Sequence, residues 1–221
     1  MNCLYRVANS HLLFVTGTDT GVGKTIFVST LALAVNSTGK KVAIIKPVQT
    51  GSSKDTELIK KLTGGKIPVF NTYSFKLPSA PTVAAKHQGK KIKKNKIISD
   101  IKALKKRFDF VIVEGIGGIA VPITENYLVA DLIKELKSPL ITVSSPKLGT
   151  INHTVLTLEF AKRKGLNVIG FVISGFDEKS KNVVEKTADE EISKITKVKC
   201  LFKIPKLKKI NYKSIKALSV N

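Results

Sequence analysis

Three stretches of the chain carry residue types at spacings that suit chemistry on a phosphate: VTGTDTGVGKT at 15–25, KPVQTG at 46–51 and VIVEGIGG at 111–118. The first ends in Gly-Lys-Thr behind a glycine-rich turn, the pattern of a loop whose backbone N–H groups cradle phosphates. Gly21 and Gly23 let the backbone aim N–H groups at an anion, and a helix beginning at Lys24 adds its positive end. Lys24 is then placed for the β and γ phosphates of a nucleoside triphosphate, and the Thr25 hydroxyl for Mg2+. Gly21, Val22, Gly23, Lys24, Thr25 and Ile26 are the expected nucleotide contacts. The spacing is unusual: five residues separate Gly17 from Gly23, where the common loop has four. A tight turn with an incidental lysine is the plain structural alternative, and the apolar strand before the loop and apolar-faced helix after it count against that alternative.

Lys46 follows an apolar run and precedes Pro47. A lysine in that setting loses side-chain entropy and risks desolvation, but beside a triphosphate it neutralises charge on a transferring phosphoryl group. A snorkelling strand-end lysine is the alternative. Thr50 is placed to donate a hydrogen bond to a substrate. In VIVEGIGG an apolar strand ends in an acid, the usual metal-side partner of a phosphate loop, so Glu114 is a candidate for Mg2+, directly or through water. A helix-capping glutamate is the structural alternative. Gly115, Ile116 and Gly117 would bring backbone close to the nucleotide. Asp55 opens DTELIKKL and reads either as a helix N-cap or as a metal ligand.

The elements that must position these residues follow from hydrophobic patterning. Continuous apolar runs predict strands at 12–17, 41–47, 108–115, 139–145, 167–174 and 200–205, as expected of parallel strands buried on both faces. Helical periodicity falls between them, at 24–36, 55–62, 96–106, 126–137, 150–164 and 180–195. The alternation implies an α/β fold: a mostly parallel central sheet flanked by helices, with right-handed crossovers, of the P-loop NTPase kind. Each unusual loop falls at the carboxyl end of a strand, where open α/β sheets bind ligands. Residues 64–95, with Pro68, Pro78 and Pro81, read as an irregular excursion around the site. The expected organisation is one domain over 1–221, with 1–11 an N-terminal extension and 206–221 a basic, solvated C-terminal segment.

Composition narrows the classes. The formal net charge is +22, a balance often associated with nucleic acid. Yet 35 of the 38 basic residues are lysine, against Arg6, Arg107 and Arg163, and base reading and bidentate phosphate clamping favour arginine. The dispersed lysines read as a solvated surface. No apolar run approaches the ~20 residues of a membrane span, and the N-terminus lacks a signal-peptide pattern. Cys3 and Cys200 stand apart and read as reduced thiols of a cytoplasmic protein.

Taken together, GTDTGVGKT, KPVQTG, VEGIGG and PKLGTINHT resemble the dethiobiotin synthetase family over residues 12 to 174, with a weaker echo in KIPKL. Cobyrinate-type amidotransferases share part of the first three segments, but they need a glutaminase domain that a chain of 221 residues has no room for. The extra loop residue is itself a feature of the resembled family. The resemblance implies a reaction in which one amine of 7,8-diaminononanoate captures CO2 as a carbamate, ATP phosphorylates it, and the second amine closes a cyclic urea.

It further implies Thr25, Asp55 and Glu114 as the metal set, and Thr20, Lys46 and Thr50 lining the diamine and carbamate site, with Lys24 and Lys46 catalytic. Ser174, Gly175, Pro205, Lys206 and Leu207 would lie near the base. A homodimer is implied, in which Leu148, Gly149, Thr150, Ile151 and Asn152 bind the substrate carboxylate of the partner's site. From the residues alone, Thr150 also reads as a simple N-cap, and His153 as a helix residue. Two departures stand out: Gly21 replaces a frequent glutamate, and Ser174 replaces an asparagine that reads adenine, exchanging an amide's donor and acceptor for one hydroxyl.

Two other classes compete. A small-molecule kinase would be expected to build an arginine-rich lid, and arginine is scarce here. A partitioning ATPase that binds DNA would carry a second lysine early in the loop, where Thr18 and Asp19 stand.

Overall fold

The computed structural model describes residues 11–51, 54–177, 179–181 and 183–220. Cys3, Arg6 and nearly all of the expected N-terminal extension lie outside them. Among the described residues, seven parallel strands form the central sheet: β1 (Leu12–Gly17), β2 (Val42–Thr50), β3 (Val69–Phe75), β4 (Phe110–Gly118), β7 (Leu140–Ser144), β8 (Val168–Phe176) and β9 (Cys200–Pro205). Their order is β3-β2-β4-β1-β7-β8-β9. The chain builds leftward from β1 and then crosses to its right, so the topological switch point lies beside β1, where such sheets open a ligand crevice. A short antiparallel pair, β5 (Pro122–Thr124) and β6 (Tyr127–Leu128), follows β4.

The helices are α1 (Lys24–Asn36), α2 (Lys54–Leu62), α3 (Pro81–His87), α4 (Lys94–Lys105), α5 (Val129–Leu136), α6 (Thr150–Arg163), α7 (Val183–Thr196) and α8 (Tyr212–Val220). Side chains of β1 alternate between two core layers. Leu13 and Val15 pack with Phe27, Val28 and Leu31 of α1, Ile59 and Leu62 of α2, and Ile215 of α8. Leu12 and Phe14 pack with Ile97 and Ile101 of α4 and Leu132 and Ile133 of α5. Among the described residues, no helix is long and apolar enough to cross a membrane.

Three expectations are corrected. The stretch 64–95 is more regular than its prolines suggest: it holds edge strand β3 and helix α3, which starts on Pro81, where a missing N–H costs nothing. The segment after Leu207 is not simply solvated. It ends in α8, where Ile215 is fully buried and Tyr212 lies against Gly64 with Lys66 Nζ 5.7 Å from its ring. The helix expected at 126–137 begins only at Val129, where the Asp131 carboxylate accepts from the Leu128 N–H at 2.9 Å.

Candidate functional site

The loop between β1 and α1 is pinned at its start by Thr18 N–H donating to the Val143 carbonyl at 2.9 Å. Gly23 is the N-cap of α1 at φ 98°, and Gly21 has φ 70°, both in the left-handed region that favours glycine. The two glycines differ in surroundings. A Cβ on Gly21 would meet nothing within 4 Å, whereas one on Gly23 would sit 2.2 Å from Ser174 Oγ. Ser174 is thus packed against the phosphate loop itself.

Lys24 is 6% exposed and spans the loop, donating to the Asp19 carbonyl at 2.8 Å and the Gly117 carbonyl at 2.9 Å. Burial, only partly offset by the Glu114 charge, pulls its pKa down to about 8. Glu114 projects from β4 and is buried. Its Oε1 accepts from the Thr25 hydroxyl and from Lys46 Nζ, at 3.0 Å each.

Lys46 does not end its strand: β2 runs on through Pro47 to Thr50. Beyond Ile45, however, β2 pairs with β3 alone, so Lys46 sits where the β2–β4 ladder stops. Its ammonium also donates to Asp55 Oδ2 at 2.5 Å. Burial lowers the pKa of this ammonium, but the charges of Glu114 and Asp55 and the hydrogen bonds to both more than reverse that, leaving it raised. Asp55 lies in the first turn of α2, one residue inside its start, with its carboxylate turned to Lys46; its side chain is 46% exposed.

These groups line one cavity of about 390 Å³, together with Thr20, Gly21, Gly23, Thr25, Ile26, Thr50, Ile116 and Gly117. Two lining residues were not foreseen, Leu58 of α2 and Ile210 from the segment before α8. Leu58 lies one turn after Asp55 on the same helix, whereas Ile210 comes from a distant part of the chain. Val22 is buried in the core, and Gly115 packs against the Phe14 ring, which a Cβ would approach to 3.0 Å. Gly175, Pro205, Lys206 and Leu207 lie outside this cavity, at the ends of β8 and β9, where Lys206 N–H donates to the Phe176 carbonyl at 2.7 Å.

Leu148, Gly149, Ile151 and Asn152 line a separate apolar groove between α6 and α7, with Val155, Leu156, Val184 and Ile195. Leu148 is 86% exposed. Thr150 is not the N-cap: Gly149 takes that position at φ 91°, and the buried Thr150 hydroxyl has no hydrogen-bond partner. His153 is exposed on the same helix.

The donor set around Glu114 suits a hard divalent cation. Thr25, Asp55 and Glu114 offer oxygen only, the two carboxylates already share a cationic group, and Glu114 Oε2 is buried with no partner. Among the described residues, no group of three His, Cys, Asp or Glu could hold a metal, so phosphate and water oxygens would have to complete the shell.

The model of a family described as AAA domain matches residues 11–214. The chain is 40% identical over 207 residues to a protein of Methanocaldococcus jannaschii named ATP-dependent dethiobiotin synthetase BioD, covering 87% of this chain and 97% of that one. It is 38% identical over 209 residues to the protein of that name from Bacillus subtilis, covering 91% and 90%. Among solved structures, MinD from the MinC:MinD cell division complex of Aquifex aeolicus superposes with a TM-score of 0.61 at 14% identity, covering 96% of this chain and 94% of that one. A ParA family ATPase of Chlorobium tepidum gives 0.59 at 13%, covering 96% and 98%; at such identities the likeness is one of fold. With the two dethiobiotin synthetase relatives matched over nearly their whole length, this chain belongs to the dethiobiotin synthetase family.

Proposed function

We propose that this chain is an ATP-dependent dethiobiotin synthetase, a carbon–nitrogen ligase of biotin biosynthesis. The observation that carries the reading is the convergence of two buried ammonium groups, Lys24 and Lys46, with buried Glu114 on one phosphate loop. The substrates are 7,8-diaminononanoate, CO2 and ATP. One amine takes up CO2 as a carbamate and loses a proton. A carbamate oxygen then bonds to the γ-phosphorus as the bond to ADP breaks. The neighbouring amine attacks the carbonyl carbon of the mixed carbamic–phosphoric anhydride, loses its proton and expels phosphate, leaving the cyclic urea.

The substrate supplies both nucleophiles, so the protein's task is positioning and charge neutralisation. Lys24 and Lys46 offset the repulsion between an anionic carbamate and an anionic phosphate. Thr25, Asp55 and Glu114 would hold Mg2+, which when bound withdraws charge from the transferring phosphoryl group. Thr20 and Thr50 face the diamine and carbamate. Leu148 to Asn152, at the start of α6, would bind the substrate carboxylate of a partner subunit in a homodimer. The exposed, apolar Leu148 supports a covered subunit face there. The reaction belongs in the cytoplasm, where its soluble substrates meet.

The test is incubation with 7,8-diaminononanoate, bicarbonate, Mg2+ and ATP, with mass spectrometry for dethiobiotin and assays for ADP and phosphate. Equimolar dethiobiotin, ADP and phosphate are expected. Nucleotide hydrolysis without the cyclic urea would overturn the reading.

A further inference from the structure

Two of the three side chains assigned above to the metal, Asp55 and Glu114, are already tied together by a lysine. Lys46 Nζ donates to Asp55 Oδ2 at 2.5 Å and to Glu114 Oε1 at 3.0 Å, and the Thr25 hydroxyl donates to that same Glu114 oxygen at 3.0 Å. The Lys46 and Glu114 side chains are 4% and 1% exposed, so no cation from solvent can replace the ammonium unless Lys46 moves. Glu114 Oε2 meanwhile is buried without a partner, a carboxylate oxygen that the ammonium leaves unsatisfied.

The formal charges of Lys24, Lys46, Asp55 and Glu114 cancel. A divalent cation arriving alone would leave uncompensated positive charge beside the buried Lys24, Lys46 and Glu114, an unfavourable state where those groups are withdrawn from water. A metal–triphosphate brings its own anions and avoids that state. It also supplies the oxygens that the protein lacks, since the described residues contain no third carboxylate, histidine or cysteine for such a site.

We propose that Lys46 is a built-in counter-cation that keeps the metal position closed until nucleotide arrives. The metal enters with the polyphosphate and takes the place of the ammonium between Asp55 and Glu114, and the released Lys46 turns to the terminal phosphate. One lysine thus serves two states, first as placeholder and then as the charge that faces the reacting phosphoryl group. The inference rests on the metal assignment made under the proposed function.

Equilibrium dialysis of the full chain against Mn2+ separates the two. Wild-type protein is dialysed alone and with a non-hydrolysable ATP analogue at equal concentration on both sides. Lys46→Gln and Lys46→Met are dialysed without nucleotide, after circular dichroism has shown which of them folds. Wild type should hold excess Mn2+ only when the analogue is present, and the variants should hold it unaided, roughly tenfold or more tightly than wild type alone.

Wild type alone binding Mn2+ as tightly as with the analogue would overturn the gate and leave the metal assignment standing. So would folded variants that bind no better than wild type while its analogue-dependent retention persists. If neither variant folds, the wild-type pair of measurements decides. Wild type holding no Mn2+ even with the analogue would remove the metal assignment and the gate together.

Discussion

Lys46 of β2 and Glu114 of β4 form an ion pair, 3.0 Å apart, in which both side chains are almost wholly withdrawn from water. Removing one partner of such a pair is costly because the other is left charged and buried. Lys46→Ala should therefore do more than abolish turnover. It should also lower the stability of the nucleotide-free protein by about 3 kcal/mol, and a Mg2+–nucleotide analogue should restore much of that loss. Chemical denaturation with and without the analogue checks this. Unchanged stability in both conditions would mean that Glu114 does not depend on the lysine.

The two loop glycines should respond differently to one methyl group. Gly21→Ala meets open space and bears only the backbone penalty of about 1–2 kcal/mol for a left-handed residue. Gly23→Ala bears that penalty and also collides with Ser174 Oγ. It should lose at least twice as much stability and most of its nucleotide affinity. Adding Ser174→Gly to Gly23→Ala should recover the collision part alone. Denaturation midpoints and nucleotide titrations of the three variants measure the difference.

The segment after β9 has two residues with separable roles. Ile215 is fully buried in the layer under α1, so Ile215→Ala should cost about 2–5 kcal/mol. Ile210 is 54% exposed at the rim of the phosphate cavity. Ile210→Ala should shift stability by less than about 0.5 kcal/mol while changing the nucleotide dissociation constant. Equal affinity in wild type and Ile210→Ala would separate this side chain from the nucleotide.

Cys200 offers a pH test remote from the site. Burial, reinforced by the Asp189 charge, pushes its thiol up to about 11. The reactive species is the thiolate, so alkylation at pH 8 should be roughly 100-fold slower than at a solvent-exposed cysteine. The rate should climb about tenfold per pH unit until pH approaches 11. Iodoacetamide labelling of a Cys3→Ser variant, followed by mass spectrometry, measures it. A midpoint near 8.5 would place the thiol in water.

The central strands were legible because they are buried on both faces and therefore apolar without interruption, as in LLFVTG and FDFVIVEG. Edge strand β3 was not: its sequence VFNTYSF is only partly covered, and its neighbouring prolines suggest a loop. In α8 the spacing of Tyr212, Ile215 and Leu218 did carry an apolar stripe, but the surrounding lysines masked it.

At the site, residue types and strand ends sufficed to pick out Lys24, Lys46, Asp55 and Glu114 as groups that could converge. That the Lys46 ammonium rests between both acids depends on where the β2–β4 ladder stops, which no local pattern records. Leu58 follows Asp55 by one helical turn, whereas Ile210 joins the cavity through tertiary packing alone.

The β2–β4 ladder aligns Ile45 with Val113 and then ends, so Lys46 and Glu114 would be the next rung. Strands reading VAII and FVIV are apolar on both faces, and greasiness by itself cannot tell their correct alignment from one shifted by a residue. A shift would turn the lysine to the opposite side of the sheet and strand two buried charges apart. The same two groups that prepare the pocket for chemistry thereby act as an alignment key, penalising mis-threaded copies before any nucleotide is present.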